Sequence, residues 1–342
     1  MTVDLDLLVL GELNPDVLVS AGGTDIRFGQ VEQLVDNATI TLGSSGAISA
    51  AAAAAQGLRV AVCAVVGDDP IGAWTTDLLA GYGVDVAGVV RRAGHQTGLS
   101  VVLTRPDGDR AILTYSGTMG ELSRADVPAD WLRAARHVHA SSFFLQRGLQ
   151  ADLPALLEEA RIAGATTSLD PGWAPRGEWA DAGPVLSQTD YLLPNAAECW
   201  HLAAALNGRS ARGDHQYHPN DEVSAVHAAK ALHRLGPVVA VKLGAAGALA
   251  VGPDMLVRVR GRSVTPVDST GAGDCFDAGF IAGLLDGSTV TESLKRAVST
   301  GAIAVTGWGG SGRLPTREQA IDAAAQLSAE YPSHPSGDPD TG

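Results

Sequence analysis

Asp268-Ser-Thr-Gly-Ala-Gly-Asp-Cys-Phe-Asp-Ala-Gly-Phe280 is the stretch from which the fold is most directly predicted. Upstream, residues 256–260 and 264–267 have the pattern of extended strands, and downstream residues 275–285 form a small, apolar run typical of a buried helix. The glycines at the junction let backbone N–H groups gather around an anion, and the first N–H groups of a helix lack partners within it. The stretch therefore predicts a strand, a turn and a helix, with a turn suited to a phosphate.

Asp274 follows this turn directly. A carboxylate beside a phosphate site can take the proton from an attacking hydroxyl, so the first hypothesis is a kinase centred on Asp274. The alternative is structural, because glycine-rich turns between a strand and a helix occur in many α/β proteins where the backbone turns sharply. The rest of the sequence is needed to choose between them.

Composition favours one large α/β domain, with or without a small appendage. The chain has 342 residues, of which 45% are apolar and only 5% aromatic, and alanine, glycine and valine are abundant. This is expected of helices packed closely on a parallel sheet. The net charge of −14 argues against nucleic acid or an anionic membrane surface as the main partner.

Cysteine usage and the N-terminus bear on the compartment. Cys63, Cys199 and Cys275 are widely spaced in apolar stretches, which matches neither a disulfide framework nor a zinc pattern. The chain begins with the acidic residues Asp4 and Asp6 rather than a basic segment, and its apolar runs are shorter than a membrane span. We therefore expect a soluble, cytoplasmic protein.

The order of elements predicts a doubly wound, mostly parallel sheet flanked by helices, with a small β lid. Strand and helix patterns alternate along the chain, except that residues 99–104 and 111–115 form a hairpin pattern around the turn 105–109. With short strands near residues 17–19 and 38–42, this hairpin predicts a lid that shuts water out of a phosphoryl-transfer site. The expected bounds are 1–330 for a single domain, about 12–42 and 97–117 for the lid strands, and 331–342 for a disordered tail.

Several polar residues follow predicted strands, where an open α/β sheet places its ligands. Asn14 and Asp16 follow the first strand and are candidate ligand contacts, or turn residues that bond their own backbone. Asn195 and Glu198 are three residues apart at a helix start, a pattern that suits either Mg²⁺ or ordinary helix capping. Lys242 ends a buried strand, which is unusual unless its ammonium has a partner.

Another pair has the spacing of metal ligands but is interpreted differently. His215 and His218 lie in a polar loop without a third ligand, so we interpret them as loop residues.

Together these motifs resemble the ribokinase-like (PfkB) family of carbohydrate and nucleoside kinases, over about residues 7–327. The C-terminal signature of that family, D-T-x-G-A-G-D, is similar to Asp268-Ser-Thr-Gly-Ala-Gly-Asp274. Weaker or shorter matches are Gly43-Ser-Ser-Gly-Ala-Ile48 through Gly67-Asp-Asp-Pro-Ile-Gly72 for the N-terminal signature, Asn195-Ala-Ala-Glu198 for the magnesium motif, and Val241-Lys-Leu-Gly244 with Gly247 for the nucleotide-side turn.

The resemblance implies transfer of the γ-phosphoryl of ATP to a hydroxyl of a small sugar or sugar-like acceptor. It implies Asp274 as general base and the N–H groups of Gly271, Ala272 and Gly273 as the anion hole. The cofactors implied are ATP, with Mg²⁺ at Glu198 and Asn195, and a monovalent cation such as K⁺ at Asp268. The residues expected at the nucleotide are Asn195, Lys242, Gly244, Gly247 and Thr270. The residues expected at the acceptor are Asn14, Asp16, Gly43, Ser44, Gly46 and Trp173.

This chain departs from the family pattern near the acceptor. Ser44 replaces the second glycine of a Gly-Gly pair, and Ile48 replaces an asparagine that commonly helps hold a ribose-type acceptor. Trp173 could stack on a sugar ring or a base, or belong to the core. These departures count against ribose itself, because leaving a polar partner unpaired costs about 1–3 kcal/mol.

The acceptor and the assembly state therefore stay open at this point. The alternatives to a sugar kinase are a nucleoside kinase of the same fold and a catalytically weak, nucleotide- or sugar-binding regulatory protein. No pair of basic residues stands out near the lid, which disfavours a sugar phosphate, although Arg105, Arg110 and Arg147 keep it possible. A homodimer through the lid is a further expectation.

Overall fold

A computed structural model describes residues 4–20, 27–105, 110–208 and 222–331. The predicted turn residues 106–109, the histidine pair His215 and His218, and tail residues 332–342 lie outside these ranges. Among the helices that are described, none has the length and apolarity needed to span a bilayer.

The described part of the chain contains one large and one small sheet. The strands are β1 (Leu5–Leu10), β2 (Pro15–Ser20), β3 (Asn37–Leu42), β4 (Val60–Gly67), β5 (Asp85–Arg92), β6 (Leu99–Thr104), β7 (Arg110–Tyr115), β8 (Ala135–Ala140), β9 (Thr166–Leu169), β10 (Tyr191–Leu192), β11 (Val238–Lys242), β12 (Gly247–Gly252), β13 (Met255–Arg260) and β14 (Ala329–Glu330).

The large sheet has the order β14-β13-β12-β11-β10-β9-β8-β1-β4-β5. Its pairs from β11 to β5 are parallel, whereas β12, β13 and β14 are added antiparallel at one edge. Every residue of β1 and β4 is buried, as expected of parallel strands covered on both faces. The predicted fold class, a doubly wound and mostly parallel sheet with a small second sheet, is confirmed.

Helices cover both faces of the large sheet. They are α1 (Ser45–Ala55), α2 (Pro70–Gly81), α3 (Ala129–Ala134), α4 (Leu153–Ile162), α5 (Gly183–Leu186), α6 (Ala196–Leu206), α7 (Glu222–His233), α8 (Ala272–Leu285), α9 (Val290–Ala304) and α10 (Arg317–Ala325). Small residues let α8 and α9 pack closely, because a Cβ at Gly283 would lie only 2.7 Å from Ser293 Oγ. The small-residue run after Asp274 is therefore a buried helix, as predicted.

The small sheet has the order β3-β2-β6-β7, and its strands fall within the two segments predicted for the lid. Residues directly opposite each other point to the same face. The register aligns Asp16 with Thr41 on one side and with Ser100 and then Thr114 on the other. The next row along β2 is Val17, which aligns with Ile40, Val101 and Leu113 on the opposite face. We call these the inner and outer faces of the lid.

One predicted extended segment does not form a strand. Residues 264–267 lie in an irregular connection between β13 and the turn before α8. Pro266 has no N–H to give to a ladder, and the N–H groups of Val267 and Asp268 both bond the carbonyl of Val305. The connection is anchored by this carbonyl and not by a neighbouring strand.

Candidate active site

The turn before α8 holds Asp274 in the first turn of that helix. Gly271 is the N-cap, with φ of 71°, and a Cβ there would lie 2.6 Å from the Cα of Gly310. Glycine is required on both counts, by the left-handed backbone and by the close approach. The N–H of Cys275 bonds Gly271 O at 2.9 Å and opens the helical pattern. Before it, the N–H of Ala272 bonds the carbonyl of Ser269 at 3.4 Å, and the N–H of Gly273 lies in the first helical turn, the end of a helix that is suited to an anion.

The charge state of Asp274 is set by its surroundings. Burial and the nearby Asp170 carboxylate raise the pKa of Asp274 to about 7, although Lys242 and a hydrogen bond from the Ser45 side chain act to lower it. A carboxylate with such a pKa can accept a proton near neutral pH, which is where a general base is most effective.

Beneath Asp274 lies a buried ion-pair cluster of Lys242, Asp170 and Asp277. Lys242 Nζ is 3.1 Å from Asp170 Oδ2 and 3.0 Å from Asp277 Oδ2. Burial raises the pKa of Asp277 well above its usual range. Burial acts in the same direction on Asp170, but Lys242 and a hydrogen bond from Asp277 lower the pKa of that group. Lys242 thereby pairs with two buried carboxyl groups whose pKa values are shifted in opposite directions.

This cluster changes the interpretation of two sequence observations. The partner expected for a buried Lys242 is this pair of carboxylates, so its ammonium is already bonded within the protein. Oxygens of Asp170, Asp274 and Asp277 lie within 4.8 Å of one another. Lys242 compensates part of the negative charge of this group, since it pairs with Asp170 and Asp277.

Asp16 approaches Asp274 from the inner face of the lid. Burial raises the pKa of Asp16 to about 7, with further contributions from Asp274, Glu12 and Asp268, while a hydrogen bond from Ser100 acts to lower it. A Cβ at Gly43 would overlap the Asp16 carboxylate, so glycine at 43 is what lets Asp16 turn inward. The structure therefore brings the predicted Asp16, Gly43 and Asp274 to one place.

Glu12 and Gln146 are polar residues of this region that the sequence interpretation missed. The buried carboxylate of Glu12 accepts from the N–H of Ser45 at 3.0 Å and from Gln146 Nε2 at 2.8 Å. Ser45 thereby connects Glu12 to Asp274, because its side chain bonds the Asp274 carboxylate. The signal was available for Glu12, since it directly follows β1 at the carboxyl edge of the sheet. Gln146 lies in a loop with no motif of its own.

The remaining predicted acceptor residues have mainly structural bonds. Asn14 Nδ2 bonds the carbonyl of Pro15 at 3.2 Å, and Ser44 Oγ bonds the carbonyl of Glu12 at 2.9 Å. Gly46 is required by Ser141, since a Cβ there would be 2.8 Å from Ser141 Oγ. The buried Ile48 packs beside Gly310, where a Cβ would overlap its Cδ1. A role of Asn14, Ser44 and Gly46 at the acceptor stays a prediction.

Trp173 belongs to an aromatic cluster rather than to the core. The residue is 55% exposed, and its ring meets the rings of Trp179 and His201 edge-on, at centroid distances of 5.2 and 5.4 Å. Trp179 and His201 stack with each other. Trp173 follows Asp170 by three residues in the chain, and its role at the acceptor stays a prediction.

Asn195 and Glu198 form a capping box at the start of α6. The N–H of Glu198 bonds Asn195 Oδ1 at 2.9 Å, and the N–H of Asn195 bonds Glu198 Oε2 at 2.8 Å. Burial and Asp170 raise the pKa of Glu198 to about 7, with Lys242 acting to lower it. These residues fit Mg²⁺ for two reasons. The capping box uses only one carboxylate oxygen of Glu198, and Glu198 lies at the end of the sheet that also carries Asp170 and Asp274. The capping role is therefore present, and it is compatible with a magnesium role.

The turns predicted for a cation and for the nucleotide are also formed. Asp268 Oδ1 accepts from Thr270 N and Oγ1 at 2.9 and 2.8 Å, and its Oδ2 accepts from the N–H of Gly309 at 2.9 Å. Asp268 thus connects the turn before α8 to the loop 307–311. Gly247, with φ of 101°, is required where β12 meets β13, since a Cβ would overlap Val259 O, while Gly244 faces open space.

Comparison with known proteins assigns this arrangement to a family. The model of the pfkB family of carbohydrate kinases matches residues 4–317. The ribokinase of Haemophilus influenzae is 29% identical over 92% of this chain and 97% of its own length. The ATP-dependent ribose-1-phosphate kinase of Halopiger xanaduensis is 33% identical, over 84% and 86% of the two chains.

Solved structures share the fold. A protein described as ribokinase II from E. coli, in complex with ATP and Mg²⁺, matches with a TM-score of 0.76 and 22% identity over 94% of this chain and 99% of that one. At this identity the likeness concerns the fold.

Proposed function

The chain belongs to the pfkB family and is a carbohydrate kinase, and we propose that it moves the γ-phosphoryl of ATP to a hydroxyl of a small sugar or sugar-like acceptor. The observation that carries this proposal is the position of Asp274 at the open N-terminal end of α8, opposite Asp16 of the lid. This arrangement supports the proposal that Asp274 acts as the base, the turn binds the phosphoryl group and Asp16 binds the acceptor.

In this mechanism Asp274 accepts the proton of the acceptor hydroxyl. The hydroxyl oxygen then forms a bond to the γ-phosphorus as the bond to the β-phosphate oxygen breaks, which leaves ADP and the phosphorylated acceptor. The N–H groups of Gly271, Ala272 and Gly273 stabilise charge on the transferring phosphoryl. Asp16 binds acceptor hydroxyls and orients the attacking one.

ATP and Mg²⁺ are the proposed cofactors, supported by their presence in the E. coli relative of the same fold. Glu198 and Asn195 would hold Mg²⁺, whose charge neutralises that of the triphosphate when it is bound. The turn from Gly244 to Gly247 is the proposed nucleotide side, because Gly244 offers backbone facing open space. Lys242 acts from beneath, through Asp170 and Asp277, instead of as a free ammonium.

A monovalent cation is a further proposal for the turn that contains Asp268 and Thr270. The carboxylate of Asp268 and the backbone of the loop 307–311 lie together there. This proposal is tested by replacing K⁺ with choline in the assay. If the turn binds K⁺, the kinase activity should fall.

A homodimer through the outer face of the lid is also proposed. Ile40 and Leu113 lie in one cross-strand row of this face and are 57% and 62% exposed. An apolar sheet face of this kind is stabilised by a second apolar surface. The same face of a second copy of the chain would supply such an apolar surface, in a dimer with two-fold symmetry.

The experiment that tests the proposed function is a screen for ATP consumption over free sugars, sugar phosphates, cyclitols and nucleosides. We expect ADP formation that depends on one sugar-like class of acceptor and on Mg²⁺. Turnover with nucleosides alone would instead support a nucleoside kinase, the alternative favoured by the exposed ring of Trp173. ATP binding without turnover of any acceptor would contradict the kinase and support a regulatory protein.

A further inference from the structure

Arg258 is a buried arginine that the proposed mechanism does not use. It is 4% exposed and lies on β13 between Val257 and Val259, which pack with residues of α8 and α9. Successive side chains of a strand point to opposite faces of the sheet, so Arg258 lies on the other face, which α7 covers. Burying a charge is costly unless the group is paired and hydrogen-bonded, so the partners of Arg258 indicate what it stabilises.

The guanidinium of Arg258 bonds the turn that joins β11 to β12. Its Nη2 donates to the carbonyl of Ala246 at 2.7 Å. Its Nη1 donates to the carbonyls of Ala248 at 3.2 Å and Val259 at 2.6 Å. Ala246 ends the short 3₁₀ turn Gly244–Ala246, and Ala248 lies at the start of β12. One cation therefore satisfies carbonyl oxygens on both sides of the junction between turn and strand, through charge-assisted bonds that are stronger than neutral ones.

The turn needs such support because of its backbone. A short 3₁₀ segment leaves the carbonyls of its C-terminal end without helical partners, and Gly247 directly after it has a positive φ of 101°. The N–H of Gly261 bonds Ala246 O at 3.0 Å, in addition to the bond from Arg258. The turn is thereby held by β13 and the residue that follows it, whereas Gly244 faces open space.

Glu222 in the first turn of α7 fixes the orientation of Arg258. Arg258 Nε donates to Glu222 Oε1 at 2.9 Å, and the Glu222 side chain is half-exposed. All three nitrogens of the guanidinium therefore have partners. A planar group that is bonded through each nitrogen has a fixed plane, so Arg258 connects the start of α7 rigidly to the turn.

We propose that Arg258 is a positioning residue for ATP, which fixes the turn 244–247 in the conformation that binds the nucleotide, and that Glu222 holds Arg258 in place. This inference rests on the proposed function, which puts the nucleotide at this turn. A turn that is already ordered loses less conformational entropy when ATP binds, so the affinity is higher. The helix α8, which carries Asp274, packs on the opposite face of β13, so the transfer step does not depend on Arg258.

The test is R258M, which removes the guanidinium and keeps an unbranched side chain. We expect the Kd for ATP with Mg²⁺, measured by calorimetric titration, to rise about tenfold or more, which corresponds to about 1.4 kcal/mol. The KM for ATP should rise with it, whereas kcat and the KM for the acceptor identified in the screen should stay within about twofold of their normal values. R258K should bind ATP with intermediate affinity, because an ammonium can still donate to a carbonyl but lacks the planar fork.

The matched control is R296M, which removes another arginine that is 4% exposed. Arg296 lies on α9 and bonds Asp286 and Gln56, so its loss should lower the melting temperature and leave the Kd for ATP unchanged. If R258M raises the Kd no more than R296M does, Arg258 only stabilises the sheet and the inference is wrong. Should R258M fail to fold, R258K and E222Q decide, because normal ATP affinity in both overturns the inference.

The titration with ATP needs no acceptor, so the inference and the kinase can fail separately. Normal ATP affinity in the variants, with turnover of an acceptor by the unaltered protein, overturns the role of Arg258 and leaves the kinase standing. Weakened ATP binding in R258M, without turnover of any acceptor by the unaltered protein, overturns the kinase and supports the role of Arg258. An unaltered protein that does not bind ATP overturns both.

Discussion

At the scale of single residues, the site depends on carboxylates whose pKa values are shifted in different directions. Asp274, Asp16 and Glu198 have raised pKa values, whereas that of Asp170 is lowered by Lys242 despite its burial. Carboxyl groups of this region therefore differ in their tendency to bind a proton, as expected where a site needs both a base and fixed charges.

The pH dependence of the reaction follows from Asp274. Its pKa is raised to about 7, so the base form is present above pH 7 and is lost as the pH falls through that value. We expect kcat/KM with the acceptor identified in the screen to fall about tenfold for each pH unit below this midpoint. The measurement is a profile of kcat/KM between pH 5 and 9.

A control is needed because Asp16 titrates in the same range. In D16N the acidic limb should persist at lower overall activity, since Asp274 still has to be deprotonated. A profile of the unaltered protein whose midpoint lies near 4 would show that Asp274 is not the titrating base.

At the scale of elements, the ion-pair cluster joins β11, the end of β9 and α8. Lys242, Asp170 and Asp277 come from these three segments, so the cluster fixes the helix that carries Asp274 on the sheet. Removing one member of a buried ion pair leaves an uncompensated charge and costs about 3–5 kcal/mol. We expect K242M to lower the free energy of unfolding by that amount, measured by urea denaturation.

Two further variants make this prediction specific. K295M removes an ammonium that pairs with the exposed carboxylate of Glu292 on α9, and should cost about 1 kcal/mol or less. The double variant K242M/D277L replaces both partners by apolar groups and should recover part of the stability lost in K242M. Equal effects of K242M and K295M would mean that the cluster does not hold α8 in place.

The sequence predicts a feature well when residues close together in the chain determine it, and poorly when distant residues do. The turn at Gly271, the capping residues Asn195 and Glu198, and the lid hairpin were predictable, because neighbouring residues determine them. The sequence predicted that a buried Lys242 needs a partner, but not which one, because Asp170 and Asp277 come from distant parts of the chain. The role of Gln146 could not be predicted, since its partner Glu12 is brought to it only by the fold.

At the scale of the whole molecule, the two faces of the lid differ in chemistry. The inner face carries Asp16, Ser100 and Thr114, of which Asp16 is the proposed acceptor contact, whereas the outer face carries the exposed apolar row that includes Ile40 and Leu113. A strand alternates its side chains between faces, so one sheet can close a site and bury itself in a partner.

The lid dimer gives a prediction at this scale. L113E places a charge in the apolar row and should convert a dimer to a monomer in sedimentation-velocity experiments. I162E is the matched control, because Ile162 is 82% exposed at the end of α4, away from the lid sheet. A monomeric unaltered protein, or a dimer insensitive to L113E, would exclude this interface.

The most direct test of the account is D274N, which keeps the size of the side chain and removes the base. We expect kcat to fall by about 10²- to 10⁴-fold, the usual contribution of a general base, while the Kd for ATP and the melting temperature stay close to those of the unaltered protein. Single-turnover transfer of phosphoryl from ATP to the acceptor identified in the screen is the measurement. Transfer by D274N within a few-fold of the normal rate would contradict the assignment of Asp274 as the catalytic base.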